Sequence, residues 1–538
     1  MMGRRRTLCG RRIAAAALCA AMGLAAIAPP AARAQAKDAW LDFAPYANIQ
    51  VDVDGPVDQG FAAQEKKYDA PLTSTEGWRG FDSQGGRDIT VDLTYDRPVV
   101  EVSIEMLQKP AWGVFYPEHV DFEAYVNGKW VLLGTRQTAI PTWDPRQTTQ
   151  VFSVSAPGVM THLVRIHFPV AAWVFVRHLQ VICDMTAQPS YPDLPALPAV
   201  PAPFTQPMTA LDARAHGIHN MLLVYTGSHG QQGTWTADDF LPATGYLMPN
   251  GEIGGRMFDT MLFLPYGDVP DTQMGWQKYL QSLFAHGVQL EALDAAAAQT
   301  NNALQRFGGN PPGPEQVVIG IPYPRFGDGR WGTVDGHTIS FQAKTGDPAA
   351  VSARLQAVGW FVRSVLSRWR QAGLPHLKLA GFYWTSEAVR YKSPGDTELI
   401  QGTAALVHQA GLPLFWIPYY YAPGLEDWQQ LGFDAAWLQL NYVFLGEQAY
   451  AERLTNAEAL AARNGTGIEL ELPSQALTSP LYRGLYVQSL RQMQNDGFAG
   501  IVSHAFYAGS KLLSQAARSP DPAVRALYDA TYGFLYAG

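Results

Sequence analysis

Three glutamates in the second half of the chain stand where carboxylates could do acid–base chemistry. Segment 467–472 reads Gly-Ile-Glu-Leu-Glu-Leu, so Glu469 and Glu471 share one face of a predicted strand and the apolar residues share the other. Glu387 comes shortly after another predicted strand, 377–384. Two carboxyl groups about 5 to 5.5 Å apart can flank one glycosidic bond, one protonating the leaving oxygen and the other attacking the anomeric carbon. We predict that Glu387 is the acid and Glu471 the nucleophile.

These glutamates require a framework in which the ends of distant strands meet. After residue 208, apolar strand-like runs alternate with amphipathic helix-like stretches, which is the pattern of a (β/α)8 TIM barrel in the α/β class. The predicted strands are 221–225, 260–264, 317–322, 377–384, 412–418, 435–442, 466–472 and 500–506, and the clearest helices are 351–371, 398–409, 449–463 and 481–495. A doubly wound open sheet is the alternative, and the lack of a Gly-rich phosphate loop after the first strand disfavours it.

The direction of the glutamate face follows from this architecture. Parallel strands covered on both faces are usually continuously apolar, and helices cover the outside of a barrel, so Glu469 and Glu471 must point inward. Buried carboxylates are costly unless they are paired or hydrogen-bonded. Glu469 therefore either belongs to a buried network that fixes the strand register or binds substrate. For Glu387 the alternative is an exposed loop carboxylate or a charge at a helix N-terminus.

Polar and aromatic residues at the other strand ends would complete a site for a hydroxyl-rich ligand, because active-site groups of such barrels project from the C-terminal ends of the strands. Gln439 and Asn441 share one face of the sixth strand, where amides are unusual unless they bind something. A lone histidine on a strand, such as His504, has a core position as its alternative. The predicted substrate-binding residues are Glu469, Tyr225, His229, Tyr323, Trp384, Tyr419, Tyr420, Gln439, Asn441, His504 and Tyr507.

The first half of the chain has a different pattern. Short alternating segments broken by Gly, Pro, Asp and Asn predict an antiparallel β-sandwich over 36–186. Its predicted strands are 89–95, 99–106, 120–126, 130–133, 149–154, 163–168 and 174–183. The phrase Trp-Arg-Gly-Phe at 78–81, ahead of Ile-Thr-Val-Asp-Leu at 89–93, resembles discoidin-like or galactose-binding-like jelly rolls, which implies carbohydrate binding. Seven prolines within 187–207 predict a semi-rigid linker, so the barrel would occupy 208–538.

The chain begins with the features of an exported protein. Five arginines precede an apolar run from 13 to 28, and Ala-Arg-Ala at 32–34 suits signal-peptidase cleavage, so we predict a signal peptide over 1–34. The Arg11-Arg12 pair leaves twin-arginine export as an alternative to the general route. No later run is long enough to cross a bilayer, so no membrane span is expected. Cys183 would be the only cysteine of the mature chain, which rules out an intramolecular disulfide.

The charge balance and the missing motifs narrow the function classes. The chain has 39 basic and 47 acidic residues, and removal of the six arginines of the signal peptide would change the formal charge from −8 to −14. Such a surface disfavours nucleic acid and anionic membranes as partners. The sequence has no His-x-His or His-Glu-x-x-His spacing and no Gly-x-Ser-x-Gly elbow. We therefore expect neither metal-dependent nor serine hydrolase chemistry, and no cofactor.

Five phrases of the second half, at 381–384, 416–420, 432–434, 439–442 and 467–471, together resemble a family of secreted bacterial proteins known only as a domain of unknown function. The similarity runs from Asn220 to Tyr507, and Leu440 replaces the proline expected in the Gln-x-Asn-Tyr phrase. Members of that family look like barrel glycosidases and often carry a discoidin-like module. The resemblance implies this architecture but names no substrate.

These observations together predict an exported glycoside hydrolase that cleaves a polysaccharide, such as a bacterial exopolysaccharide, by a retaining mechanism. The positions of Glu387 and Glu471, after the fourth and seventh strands, resemble those of the acid/base and the nucleophile in the large retaining glycosidase clan. The alternative is a non-catalytic polysaccharide-binding or assembly protein, in which two carboxylates need not converge on one point. The sequence carries no signal for the sugar, the linkage or the oligomeric state.

Overall fold

The computed structural model describes residues 40–53, 63–82, 86–140, 142, 144, 146–170, 173–187, 190–191, 204, 206–228, 232–265, 269–306, 313–327, 329–342, 348–390, 393, 395–420 and 422–537. The predicted signal peptide, 1–34, lies outside these residues, as does most of the proline-rich stretch 187–207. Within the described residues, no helix is both long enough and apolar enough to cross a membrane.

The first part of the chain forms eight antiparallel strands around one apolar core, so the predicted antiparallel sandwich is confirmed. The strands are β1 (Trp40–Asp42), β2 (Asn48–Val53), β3 (Arg79–Phe81), β4 (Arg87–Gln108), β5 (Val120–Val126), β6 (Lys129–Arg136), β7 (Thr148–Phe168) and β8 (Val174–Asp184). They pair in the order β1-β8-β4-β7-β5-β6, with β2 against β4 and β3 against β8. Cys183 is buried in this core as a free thiol.

Two long strands connect what the sequence pattern divides into four. Strands β4 and β7 contain 22 and 21 residues, and each spans two predicted strands together with the turn expected between them. The register of the β4–β7 pair shifts between Asp92 and Arg97, and again between Val99 and Glu101. Thr94 lies within the first shift and has a φ of 69°. These irregularities bend the strands without interrupting them, as bulges do.

The second part of the chain is a closed barrel of eight parallel strands, so the predicted barrel is confirmed and the open sheet is wrong. The barrel strands are β9 (Asn220–Thr226), β12 (Thr260–Pro265), β13 (Glu315–Ile321), β16 (Leu377–Trp384), β17 (Leu414–Trp416), β18 (Ala435–Gln439), β19 (Gly467–Glu471) and β20 (His504–Tyr507). Two short hairpins lie between them: β10 (Gly245–Leu247) with β11 (Ile253–Arg256), and β14 (Arg330–Val334) with β15 (His337–Ser340).

Helices cover the outside of the barrel, with one gap. They are α1 (Ala237–Thr244), α2 (Gln273–Leu283), α3 (Gln289–Gln305), α4 (Pro348–Ala372), α5 (Asp396–Gln409), α6 (Glu452–Asn464), α7 (Pro480–Asn495), α8 (Leu512–Ala517) and α9 (Pro522–Leu535). Between β17 and β18, residues 417–420 and 422–434 contain no helix. This crossover is a chain of turns, and it returns from the mouth of the barrel to the start of β18.

Alternation along each strand separates an interior core from an outer core. Inside the barrel, Leu223, Val318, Phe415 and Trp437 pack together. Ile468, Leu470 and Leu472 of the seventh barrel strand pack with the helices instead. Glu469 and Glu471 therefore face the interior, as the sequence alternation predicts.

Residues 36–188 expressed without the barrel should give a soluble domain with one cooperative unfolding transition, because a single apolar core lies wholly within this part of the chain. Circular dichroism during heating would measure the transition. A fragment that aggregates or melts without cooperativity would contradict the proposed division of the chain.

Candidate active site

Glu471 ends β19 inside the barrel, and Asn441 holds its carboxyl group. One carboxylate oxygen, Oε1, accepts hydrogen bonds from the backbone N–H of Asn441 at 2.8 Å and from its side-chain amide at 3.0 Å. The other oxygen, Oε2, is buried and has no hydrogen-bond partner among the residues that the structure describes. The carboxyl group is therefore fixed through one oxygen, and the second remains available to a ligand.

The backbone of Asn441 has the conformation that makes this contact possible. Its φ is 45°, in the left-handed region that asparagine tolerates better than most residues. The side-chain oxygen accepts a hydrogen bond from the N–H of Tyr420 at 2.9 Å, and the side-chain amide also donates to Gln439 at 3.0 Å. The preceding Leu440, where a proline was expected, donates a long hydrogen bond of 3.4 Å to the carbonyl of Glu469. A proline could not donate this bond.

Arg453 supplies a positive charge behind Glu471. Its side chain is buried, donates from Nε to the carbonyl of Leu440 at 3.0 Å and lies 3.5 Å from the ring centre of Tyr420. Burial raises the pKa of Glu471 to about 8, although the hydrogen bonds from Asn441 and the charge of Arg453 oppose this effect. Tyr420 is itself only 1% exposed, so it backs the site and does not line it.

The other two glutamates share the electrostatic environment of Glu471. Burial raises the pKa of Glu469 well above its usual value, and the negative charges of Glu471 and Glu387 raise it further. Glu387 is exposed at the mouth of the barrel. Partial removal of water by the surrounding protein still raises the pKa of its carboxyl group, against the effects of a hydrogen bond to Gln439 and the charge of Arg390. The three carboxyl groups therefore converge on one region of the interior.

Tyrosines complete the wall around these carboxyl groups. The rings of Tyr225 and Tyr507 meet edge to face, with centroids 6.2 Å apart. Burial raises the pKa values of Tyr225 and Tyr383, and the charges of Glu469 and Glu387 raise both further. At the rim, the pKa of half-buried Tyr419 is raised by burial and then by two carboxylates, Asp82 and Glu387. Because Asp82 belongs to the sandwich, its edge reaches the mouth of the barrel.

A bulge in β16 decides which aromatic residue faces the interior. Leu379 pairs with Val317, but the next residue of β13 pairs with Gly381, so Ala380 is an extra residue. Counting from Leu379 without the bulge would point Trp384 inward. With the bulge, Tyr383 joins the interior core and Trp384 the outer one, where it is fully buried. Tyr383 is thus a site residue that sequence alternation missed, and Trp384 does not reach the mouth.

Three other predicted residues lie apart from the carboxyl groups or outside the described residues. Tyr323 donates a hydrogen bond of 2.5 Å to Asp396 and packs edge to face on Trp384, beside the barrel mouth. His504 packs against Phe534 of α9 in the outer layer, and burial lowers its pKa to about 3, so it has the core position that was its alternative. His229 lies outside the described residues.

The arrangement offers two kinds of carboxyl group to a ligand in the mouth. Glu387 is open to solvent, whereas Glu469 and Glu471 are 3% and 1% exposed. A carboxyl group held protonated above its usual pKa can act as an acid, and one with converging donors can act as a base or nucleophile. Among the residues described, no three His, Cys, Asp or Glu side chains are grouped as metal ligands.

Comparison with known proteins places these features in context. A family model described as a domain of unknown function (DUF4855) matches residues 220–533. No curated protein matches the chain. Among solved structures, the xylanase 10B CBM22-1–GH10 modules of Clostridium thermocellum, complexed with xylohexaose, are 10% identical, with 91% of this chain and 94% of that chain covered and a TM-score of 0.33.

Two further structures match only a small part of the chain. A GH29 fucosidase of Ruminococcus gnavus, in complex with fucose, is 14% identical over 27% of this chain and 27% of that chain, with a TM-score of 0.20. The match spans about a quarter of that fucosidase. The family 32 CBM of C. perfringens NanJ, in complex with galactose, is 13% identical over 27% of this chain and 98% of that chain, with a TM-score of 0.19. Likenesses this weak assign no activity.

The substitution Glu469→Gln should make the folded protein relatively more stable at higher pH. The pKa of Glu469 is higher in the folded than in the unfolded chain, so the folded state keeps a proton that the unfolded state has lost. Stability from this group therefore falls as pH rises above about 4.5, by at most about 1.4 kcal/mol per pH unit. Thermal unfolding between pH 5 and pH 8 would measure the effect.

The matched control is Glu447→Gln, because Glu447 is an exposed glutamate outside the barrel interior. The difference in Tm between Glu469→Gln and the wild type should grow with pH, whereas the control should stay parallel to the wild type. Parallel curves for both variants would show that Glu469 is not held protonated by the fold.

Proposed function

This chain belongs to the DUF4855 family, a family of unknown function, and we propose that it is an exported glycoside hydrolase that cleaves a polysaccharide with Glu387 and Glu471. The observation that carries the proposal is that the charges of both glutamates act on the buried carboxyl group of Glu469. Carboxyl groups that arrive from two separate barrel strands thus converge on one region. A site that only binds glycan needs no such convergence.

Glu387 is the proposed acid. It is exposed at the mouth, where a leaving sugar can reach it, and its raised pKa lets it keep a proton at a higher pH than an ordinary glutamate. Its contact with Gln439 orients the carboxyl group. A group with these properties can protonate the glycosidic oxygen as the bond breaks.

Glu471 is the proposed nucleophile, which requires that it lose its proton before Glu469 does. Two hydrogen bonds from Asn441 and the charge of Arg453 favour the ionised form of Glu471. For Glu469, carboxylates are the charged neighbours that influence its pKa. The pair therefore retains a shared proton on Glu469, and Oε2 of Glu471 is the oxygen without a partner that can attack.

The proposed reaction is a double displacement. Oε2 of Glu471 forms a bond to the anomeric carbon while the bond to the leaving oxygen breaks and Glu387 donates its proton to that oxygen. Water then attacks the same carbon, gives a proton to Glu387 and displaces Glu471. Tyr225, Tyr419 and Tyr507 are placed to contact the sugar. A carboxyl separation of about 6.5 to 9.5 Å would instead make Glu471 a base that activates water, with inversion.

Export is the remaining part of the proposal. It is supported by the arginine-rich start, the apolar run and the Ala-Arg-Ala sequence at 32–34. A polysaccharide is too large to cross the inner membrane freely, so an enzyme that cleaves one from outside the cell must itself be exported. The acidic surface of the mature chain fits an uncharged or cationic polymer better than an acidic one.

Glu387→Gln should reduce turnover about 10² to 10⁴-fold on glycosides with poor leaving groups, because the variant cannot donate the proton. On an activated aryl glycoside the loss should be smaller, because that leaving group needs no proton. Reducing-end release from a panel of bacterial exopolysaccharides and plant glycans would first identify the substrate. The exposed Glu447→Gln serves as the control and should retain wild-type turnover.

Glu471→Ala should abolish turnover of both kinds of substrate while glycan binding is largely retained, because the nucleophile is lost but the walls of the site remain. Steady-state kinetics and calorimetric binding on the same preparation would measure the two effects. Wild-type turnover by both Glu387→Gln and Glu471→Ala would reject this pair. Binding without cleavage by the wild-type protein would favour the non-catalytic polysaccharide-binding alternative.

A further inference from the structure

A second cavity, of about 320 Å³, lies between the sandwich and the barrel. The sandwich contributes Tyr116 and Trp173, and the barrel contributes Gln401 of α5 and Gln430 of the helix-free crossover. Binding pockets for small ligands have volumes of this size and often lie between domains. Neither the proposed catalytic glutamates nor the tyrosines around them belong to its lining.

The position of the cavity relates it to the barrel mouth. Helix α5 begins at the mouth, because each barrel helix returns from the C-terminal end of a strand. The crossover that carries Tyr419 at the rim continues to Asp427 and Gln430, which line the cavity. Asp82 of the sandwich is close enough to raise the pKa of Tyr419. A glycan that leaves the mouth past Tyr419 therefore reaches this cavity on the flank of the barrel.

The chemistry of the lining suits a sugar. Trp173 is half-buried, and its backbone is fixed by a hydrogen bond from its N–H to Gly113 at 3.3 Å and by one from Phe115 to its carbonyl at 2.9 Å. A fixed, partly exposed indole offers an apolar face for a sugar ring. Glu398 has a carboxylate oxygen that is buried without a partner among the described residues, so it can accept a bond from a sugar hydroxyl.

The charges of the lining restrict the kind of sugar. Glu118, Glu398 and Asp427 line the cavity, and no lysine or arginine is among the described residues that do. Burial raises the pKa of Asp427 to about 8, and the charges of Glu118 and Glu426 contribute to this. A uronate or sulfated sugar would be repelled here, because it would meet carboxyl groups with no compensating cation.

We propose that this cavity binds a further unit of the same glycan, one without negative charge, away from the bond that is cleaved. The inference rests on the proposed function, since it assumes that a glycan occupies the mouth. The sandwich then extends the substrate cleft of the barrel, and the enzyme acts on chains long enough to reach both sites.

The test uses the full chain carrying Glu471→Gln, so that binding is measured without cleavage. The probes are cellohexaose, xylohexaose, a chitosan hexamer and hexagalacturonic acid. The substitution Gln430→Trp fills the cavity from the barrel side, and Gln429→Trp places the same side chain one residue away, outside the lining. Trp173→Ala removes the indole from the other side, with circular dichroism to check that the sandwich remains folded.

We expect at least one uncharged or cationic hexamer to bind, with a Kd at least tenfold weaker in Gln430→Trp and Trp173→Ala and unchanged in Gln429→Trp. An equal Kd in all variants, absence of binding by every probe, or tighter binding of hexagalacturonic acid would overturn the proposal. Turnover of aryl glycosides by the wild-type chain tests the hydrolase separately. Cavity-dependent binding without turnover would leave this inference standing while the proposed function fails.

Discussion

The burial of two glutamates on the interior face of β19 is the constraint on which the site depends. Ionised carboxyl groups in a closed barrel are costly unless donors or cations compensate them. The structure compensates one of the two, because Asn441 and Arg453 both serve Glu471. The left-handed backbone of Asn441 and the hydrogen bond from Tyr420 are consequences of this need. Two chemically identical groups thereby acquire different affinities for a proton.

The crossover without a helix is the second feature that organises the molecule. It is anchored by Trp428, whose indole donates to the carbonyl of Asn464 at 2.9 Å, and by Phe433, which stacks on Trp416 with centroids 4.9 Å apart. With these anchors the chain crosses the flank of the barrel as turns, and residues of the sandwich lie against it. The same crossover thus presents Tyr419 at the mouth and contributes Gln430 to the cavity between the two parts.

The sequence predicted what depends on local periodicity and failed where a single residue changes the count. All eight barrel strands and the inward face of β19 follow from alternation, and the structure has them. The bulge at Ala380 has no signal in composition, so Tyr383 was passed over in favour of Trp384. The bends in β4 and β7 resembled turns because a strand that changes layer uses the same residue types as a turn. The contacts of Asn441 and Arg453 with Glu471 join separate elements, and no local pattern reports them.

The bulge in β16 also sets a height. One residue of a strand advances the chain by about 3.3 Å, and Ala380 uses a residue without advancing its neighbours' register. A regular strand of the same sequence would lift Glu387 by that distance along the barrel axis, away from the level of Glu471. Groups that act on one bond must be placed to within about 1 Å, so an offset of this size would separate them functionally. The bulge therefore works as a length adjustment that brings two independently built strand ends to a common level.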